Sequence, residues 1–183
     1  MPYKSRSRPR DIRSVMALVK LVSSDGKEFP VEPKIARMST TVAGLLEALN
    51  MDDTNEDPEV FAKNPIPLPN VSEGALQRVL DWCYHHKDEP AKVKSTDPKA
   101  KPDYTIPEWD IEFFPKEQKE LFELLCAAHY LDIRALYDNL CQTVANMLHG
   151  KKADEMAKLF NIKCDLTQKE IDDIRKANAW CED

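Results

Sequence analysis

Glycine is scarce in this sequence. The four glycines among 183 residues stand alone, and none belongs to a Gly-x-Gly or Gly-x-x-x-x-Gly-Lys loop that could cradle a phosphate. The Gly-x-Ser-x-Gly elbow of hydrolases and the His-Glu-x-x-His motif of zinc proteases are also missing. The sequence therefore predicts a protein that is not an enzyme and that needs no cofactor.

Long apolar runs are missing as well. No run approaches the roughly 20 residues that are needed to cross a bilayer. The N-terminal stretch is basic and polar, without the apolar core of a secretory signal. We therefore expect a cytoplasmic and nuclear protein without a membrane partner.

Cysteine pairs are lacking too. Five cysteines are spread along the chain, never as Cys-x-x-Cys, so reduced thiols are expected. Cys83, His85 and His86 are poor metal ligands together, because adjacent helical residues point about 100° apart. Cys126 and His129 would share a helical face, yet two ligands are not the four of a zinc site. We expect no metal site, with Cys126 in the core and His129 on the surface.

Charge is unevenly distributed. The formal net charge is −6, and residues 1–16 carry +4, so the rest carries −10, since −6 less +4 is −10. An acidic body argues against nucleic-acid binding by the main domain, because phosphates require a basic face. The basic tail is expected to be a disordered arm; a localisation signal and a weak polyanion contact are the alternatives.

The first half predicts a small sheet with helices. Asp25-Gly26 between two β-prone runs predicts a hairpin that places Phe29 and Val31 on one face. Residues 35–51 have helical spacing, and the alternating prolines of residues 65–69 fit an edge strand. Ser72 is expected to cap a helix to about His86, with four inward positions: Leu76, Val79, Leu80 and Cys83.

The second half predicts only helices. Residues 87–107 hold four prolines among many charges and are interpreted as an exposed linker. Helices are then expected over residues 115–130, after Asp132 until Gly150 stops the helix, and around Met156. Thr167-Gln168-Lys169-Glu170 is a capping box that opens a last helix.

Trp180 stands three residues from the end of this sequence, beyond the apolar Ile171 and Ile174. Burying a tryptophan removes about 150–250 Å² from water. Either Trp180 packs back onto its own chain, or a partner covers it.

A series of ordered motifs resembles the S-phase-kinase-associated (Skp-type) adaptor family of SCF ubiquitin ligases, from about Leu18 to Asp183. They are Pro67-Leu68-Pro69-Asn70-Val71, Trp82-Cys83, His85-His86-Lys87-Asp88, Ile106-Pro107-Glu108-Trp109-Asp110, Ala127-Ala128-His129-Tyr130-Leu131-Asp132-Ile133, Thr143-Val144-Ala145-Asn146-Met147, Phe160-Asn161-Ile162-Lys163 and Trp180-Cys181-Glu182.

The resemblance implies an α/β fold of the POZ/BTB type with appended C-terminal helices. Its expected parts are a tail over residues 1–16, a POZ-type domain over 17–131 that includes the linker at 87–107, and a helical F-box-binding region over 132–183. The implied partners are F-box proteins and a cullin N-terminal domain, with weak homodimerisation when no F-box protein is bound.

The same resemblance implies two sets of site residues. His129 and Tyr130 would contact the cullin, although His129 stands where the family usually has asparagine, which suggests a diverged paralogue. The residues implied in F-box binding are Leu140, Val144, Met147, Phe160, Ile162, Ile171, Ile174, Arg175, Asn178 and Trp180.

Two other functions stay open at this stage. One is a self-associating POZ scaffold that works without a cullin. The other is a metal-dependent enzyme that uses Cys126 and His129, which would require stoichiometric zinc.

Overall fold

A computed structural model describes residues 18–49, 64–89, 105–163 and 165–181. The chain divides into two compact units, Met1–Thr143 and Val144–Asp183, which are called the N-terminal unit and the C-terminal unit below. The basic tail and most of the proline-containing linker lie outside the described residues.

A three-stranded sheet, in the order β2-β1-β3, forms the first layer of the N-terminal unit. Strand β1 (Val19–Val22) pairs antiparallel with β2 (Glu28–Val31) and parallel with the two-residue β3 (Ile66–Pro67). The hairpin prediction is confirmed: Gly26 has φ +80°, which glycine adopts without strain, and Phe29 and Val31 are both buried. Pro67 lies in the edge strand, where a missing N–H is tolerated.

Two short helices follow the hairpin where the sequence predicted one. Helix α1 spans Pro33–Ala36 and α2 spans Thr40–Ala48. The single-helix prediction is wrong because Ser39 adopts extended backbone, with ψ 119°, and its side chain accepts a hydrogen bond from the Val42 N–H. A serine at this position ends one helical run and starts the next.

The helical core of the N-terminal unit is built mainly from α3 (Glu73–His86) and α5 (Gln118–Tyr130), which pack on each other. Ser72 caps α3 as predicted, through the Ala75 N–H at 3.4 Å. The predicted inward positions of α3 are all buried, and α5 contributes a matching apolar face: Leu121, Leu124, Ala127 and Ala128.

Two further helices begin in the described part of the N-terminal unit. Helix α4 (Glu108–Phe113) is short and was not predicted, and α6 spans Arg134–Leu148. The first part of α6 belongs to this unit's core, with Leu136, Asn139 and Leu140 buried. The structural division at residue 143 therefore comes later than the boundary at residue 131 that the sequence suggested.

The C-terminal unit contains α7 (Ala153–Leu159), α8 (Gln168–Ala177) and a 3-10 turn, Ala179–Cys181. The predicted capping box of α8 is confirmed: the Glu170 N–H donates to Thr167 Oγ1 at 3.5 Å, and the Thr167 N–H donates to Glu170 Oε2 at 2.8 Å. The Glu170 carboxylate thus accepts this backbone bond and a second one from the Thr167 hydroxyl at 2.7 Å. These bonds, the backbone one first, lower the pKa of Glu170. The α/β architecture with appended helices agrees with the sequence prediction. Over the described residues, no helix is both long and apolar enough to span a membrane.

The start of α2 is joined to the end of α5 by hydroxyl groups. The Ser39 hydroxyl donates to the Leu131 carbonyl at 2.5 Å, and Thr41 donates to the Tyr130 carbonyl at 2.9 Å. Thr40 donates to the Asp132 carbonyl at 3.1 Å from an exposed position. Carbonyls at a helix end have no partner within the helix, so these hydroxyls satisfy the end of α5.

Replacing Ser39 with Ala tests this junction. The change removes the helix cap and leaves a buried carbonyl without its hydroxyl donor, so the free energy of unfolding should fall by about 1–3 kcal/mol in urea titration. The matched control is Thr40→Ala, which removes an exposed hydroxyl one residue away and should cost less than about 0.5 kcal/mol. Equal losses in the two variants would contradict the special role of Ser39.

Candidate partner-binding surfaces

The end of α5 presents the two side chains that the sequence assigned to cullin binding, His129 and Tyr130. His129 is exposed and Tyr130 is half-buried. The His129 ring lies with its centroid 5.4 Å from that of Tyr137 on α6. The hydroxyls of Thr41 and Ser39, at the start of α2, donate to the carbonyls of Tyr130 and of the next residue, Leu131. The result is a polar, aromatic surface on a supported helix end, called the α5-end surface below.

The cysteines of the N-terminal unit differ sharply in environment. Burial raises the pKa of the Cys83 thiol to about 12, which makes it an inert core residue at neutral pH. Cys126 is exposed, so its predicted place in the core is wrong. The buried residues of α5 near Cys126 are Leu124, Ala127 and Ala128, so Cys126 lies next to the apolar face of this helix but not on it. In the stretches that the structure describes, no group of three His, Cys, Asp or Glu side chains is arranged to hold a metal ion.

The C-terminal unit exposes several large apolar side chains. Trp180 is 78% exposed, Ile162 62% and Ile174 49%, and Leu166 is exposed as well. Ile171 is half-buried. These five residues are called the C-terminal apolar face below. None of the side chains described in residues 144–163 and 165–180 is buried, so this part of the unit has no core of its own.

The polar residues predicted beside this face have contacts within the C-terminal unit. Arg175 lies 3.8 Å from the Asp154 carboxylate in an exposed ion pair, which contributes little to stability. The Asn178 side chain donates to the Ile174 carbonyl at 2.9 Å and closes the end of α8. Helical spacing places the predicted residues of α8 along one side of the helix. Counted from Ile171, they follow at three, four and seven residues: Ile174, Arg175 and the C-cap residue Asn178.

One residue predicted to bind an F-box protein does not fit that role. Leu140 is fully buried in the N-terminal unit, so that prediction is wrong: its side chain contacts the core and presents no surface to a partner. Val144, Met147 and Phe160 are half-buried and keep accessible surface. Helical spacing alone could not separate Leu140 from Val144 and Met147, because all three fall on one stripe of α6.

Sequence reasoning missed a buried polar cluster around Asp110. This carboxylate is completely buried and accepts hydrogen bonds from three side chains. Trp82 Nε1 and His86 Nε2 lie 3.0 and 2.9 Å from Asp110 Oδ1, and Asn139 Nδ2 lies 2.5 Å from Oδ2. The cluster therefore ties α4 to α3 and α6.

Only part of this cluster carried a signal in the sequence. Trp82 and His86 are four residues apart and share one helical face. Trp109-Asp110 appeared among the motifs of the family resemblance, but a single aspartate in a polar stretch does not indicate burial. Asn139 lies among apolar positions of α6, which is the one cue that a buried polar partner was needed.

Two family models match this chain, over most of the described residues. The model described as "Skp1 family, tetramerisation domain" matches residues 17–88, and "Skp1 family, dimerisation domain" matches residues 134–181. The chain belongs to the Skp1 family. The resemblance inferred from the motifs is thereby confirmed.

Named relatives cover nearly the whole chain. A "Skp1-related protein" of Caenorhabditis elegans is 44% identical over 165 residues, which is 90% of this chain and 92% of the relative. The "SCF ubiquitin ligase complex protein SKP1a" of Dictyostelium discoideum is 45% identical over 168 residues, which is 92% of this chain and 98% of the relative. The SKP1b protein of the same organism has the same identity and coverage.

Exchanging the amide and carboxylate groups tests the Asp110 cluster. Asn139→Asp alone places a second carboxylate against Asp110 and should lower the free energy of unfolding by about 3 kcal/mol or more. Adding Asp110→Asn should restore most of this loss, because the amide introduced there can donate to the new carboxylate while its carbonyl still accepts from Trp82 and His86. The measurement is a double-mutant cycle by urea unfolding. Additive losses in the double variant would contradict the assigned hydrogen bonds.

Proposed function

We propose that this Skp1-family chain works as a non-catalytic adaptor subunit of an SCF ubiquitin ligase complex. The relatives from Dictyostelium carry the name of that complex and align with more than nine-tenths of the chain. The adaptor would join an F-box substrate receptor to a cullin. A bound substrate would then meet the ubiquitin-transferring machinery at a high effective concentration.

The observation that carries this proposal is the lack of a core among the described residues of the C-terminal unit. Its helices hold apolar residues at regular spacing, yet no described side chain there is buried. Several large apolar side chains exposed within one small unit favour a protein–protein interface, since leaving Trp180 and two isoleucines in water is unfavourable. The occupant is proposed to be the F-box segment of a substrate receptor.

An interface at this face should resemble a protein core that is divided between two chains. Such permanent complexes bury more than about 2,000 Å² and are rich in apolar contacts. Trp180 is the expected anchor, because tryptophan is enriched among residues that dominate binding energy. Arg175 and Asn178 would lie at the polar rim, where charges affect specificity more than affinity.

The cullin is proposed to bind the α5-end surface. This surface lies on the N-terminal unit, and the proposed F-box residues lie on the C-terminal unit and the last turns of α6. The two partners therefore use different side chains. His129 presents an exposed imidazole ring where the family usually has asparagine, and this difference in side chain is proposed to alter the choice of cullin.

Truncating Trp180 tests the F-box interface. Trp180→Ala should weaken binding of a purified F-box segment by about 2 kcal/mol or more, or roughly thirtyfold in Kd. The matched control is Ile111→Ala, which removes a 58% exposed apolar side chain from the N-terminal unit. Calorimetry should show no change for the control. A Trp180→Ala loss within error of zero would remove this residue from the interface.

Changing the end of α5 tests the cullin face. Tyr130→Lys should weaken binding of a cullin N-terminal domain at least about tenfold and leave F-box affinity within about twofold, because it adds charge to an aromatic contact. His129→Asn introduces the usual family residue at an exposed position, where a substitution does not threaten the fold. A change in cullin affinity in this variant is therefore a contact effect, whereas Tyr130 is half-buried and its replacement needs a separate check for unfolding. Circular dichroism checks the fold of both variants. Parallel loss of both partners by a folded Tyr130→Lys protein would contradict two separate faces.

Self-association is a second candidate function, and the family-model descriptions favour considering it, since they name tetramerisation and dimerisation domains. The C-terminal apolar face could pair with a second copy when no F-box protein is present. Light scattering separates the two proposals. A weak dimer that an F-box segment dissociates supports the adaptor, whereas a stable dimer that resists the segment supports a scaffold.

A further inference from the structure

The imidazole of His86 lies between two carboxylates. Its Nε2 is 2.9 Å from Asp110 Oδ1, and its Nδ1 is 2.8 Å from Glu89 Oε2. His86 itself is almost completely buried, while Glu89 remains 58% exposed. Both ring nitrogens are therefore at hydrogen-bond distance from an acidic oxygen.

This arrangement is satisfied by only one protonation state of the ring. An ionised carboxylate accepts hydrogen bonds and donates none, and a neutral imidazole carries one N–H. A neutral His86 would therefore face one of the two carboxylates with a lone pair. The imidazolium form donates from both nitrogens and satisfies both contacts at once.

The other groups around His86 have mixed charges. Asp110 also accepts from Trp82 and Asn139, so His86 is the one of these three donors that can carry a charge. Lys87 and Arg134 line the same cavity as His86, and Arg134 lies 3.6 Å from Asp132.

Aromatic rings and a second ion pair complete the surroundings. The His86 ring stacks on Trp82 at 4.2 Å between centroids and meets the edge of the His85 ring at 4.9 Å. On α1, Lys34 pairs with Asp88 at 2.9 Å, and this hydrogen bond lowers the pKa of Asp88. Asp88, which precedes Glu89 in the sequence, is therefore already paired with a cation, Lys34.

We propose that His86 is a proton-dependent clasp between Glu89 and Asp110. As imidazolium, it joins the turn that ends α3 to the carboxylate of α4. As neutral imidazole, it keeps its N–H on the buried Asp110 and releases the exposed Glu89 to water. Releasing Glu89 is the less costly choice, because an uncompensated buried carboxylate is far less favourable than an exposed one.

The clasp acts at a defined place in the chain. In the sequence, Glu89 immediately precedes residues 90–104, and Asp110 follows them by six positions. The His86 ring therefore contacts one residue on each side of that segment. Histidine is the side chain that ordinarily changes charge between pH 5 and 8. Loss of one proton from the His86 ring therefore changes the contacts of Glu89 without disturbing the buried cluster. The clasp does not depend on the proposed adaptor function.

The test is nitrogen NMR of the full chain with labelled histidine, recorded from about pH 5.5 to 8, the range in which histidine titrates. Long-range nitrogen–proton spectra show which ring nitrogens carry a proton. In Glu89→Gln, the ratio of imidazolium to neutral His86 at a given pH should fall about two- to fivefold, the range expected for a partly exposed ion pair. The neutral ring should carry its proton on Nε2, toward Asp110.

The matched control is Asp88→Asn, which removes the same charge one residue earlier from a carboxylate that contacts Lys34. Its His86 ratio should stay at the wild-type value. An unchanged ratio in Glu89→Gln, an equal fall in both variants, or a neutral ring protonated on Nδ1 would each overturn the clasp. Both substitutions are at exposed positions, so loss of the fold does not obscure the result.

Discussion

The buried carboxylate of Asp110 constrains how the helices of the N-terminal unit pack. Removing an unpaired carboxylate from water costs several kcal/mol, so this group requires donors wherever it is buried. Trp82 and His86 supply them from α3, and Asn139 supplies one from α6. Apolar contacts tolerate small shifts, but three directional hydrogen bonds do not. The position of α4 therefore follows from this polar cluster more than from its own short apolar face.

A second polar junction supports the proposed cullin surface. Helix ends leave carbonyl groups without partners, and those at the end of α5 accept from the hydroxyls of Ser39 and Thr41. The same serine caps α2, so one side chain fixes two helix ends. The Tyr130 carbonyl is one of those held, and His129 precedes it in the same helix. Preorganised backbone lowers the entropy that is otherwise lost when a partner binds.

Local patterns predicted much of the fold, because their physical causes act within a few residues. The Asp25-Gly26 turn and the Thr167–Glu170 capping box require only neighbouring backbone groups, and both were predicted correctly. Tertiary contacts decided what was missed. Ser39 caps α2 and also donates to the distant Leu131 carbonyl, a contact that periodicity does not reveal. Leu140 is likewise buried by residues that periodicity cannot identify. The proposed site residues on the C-terminal unit were identified through family motifs, not through periodicity alone.

The two units differ in what stabilises their helices. Helices α3 and α5 bury continuous apolar faces, whereas α7 and α8, of seven and ten residues, bury none. Isolated helices below about 12–15 residues are marginal in water. Both have a glutamate three residues past the cap that accepts the cap's N–H, Glu155 for Lys152 and Glu170 for Thr167. Such local bonds favour the helical form before a partner binds. When a partner then binds the C-terminal apolar face, less of its binding free energy is spent on ordering the chain. The capping residues therefore contribute to affinity although they need not contact the partner.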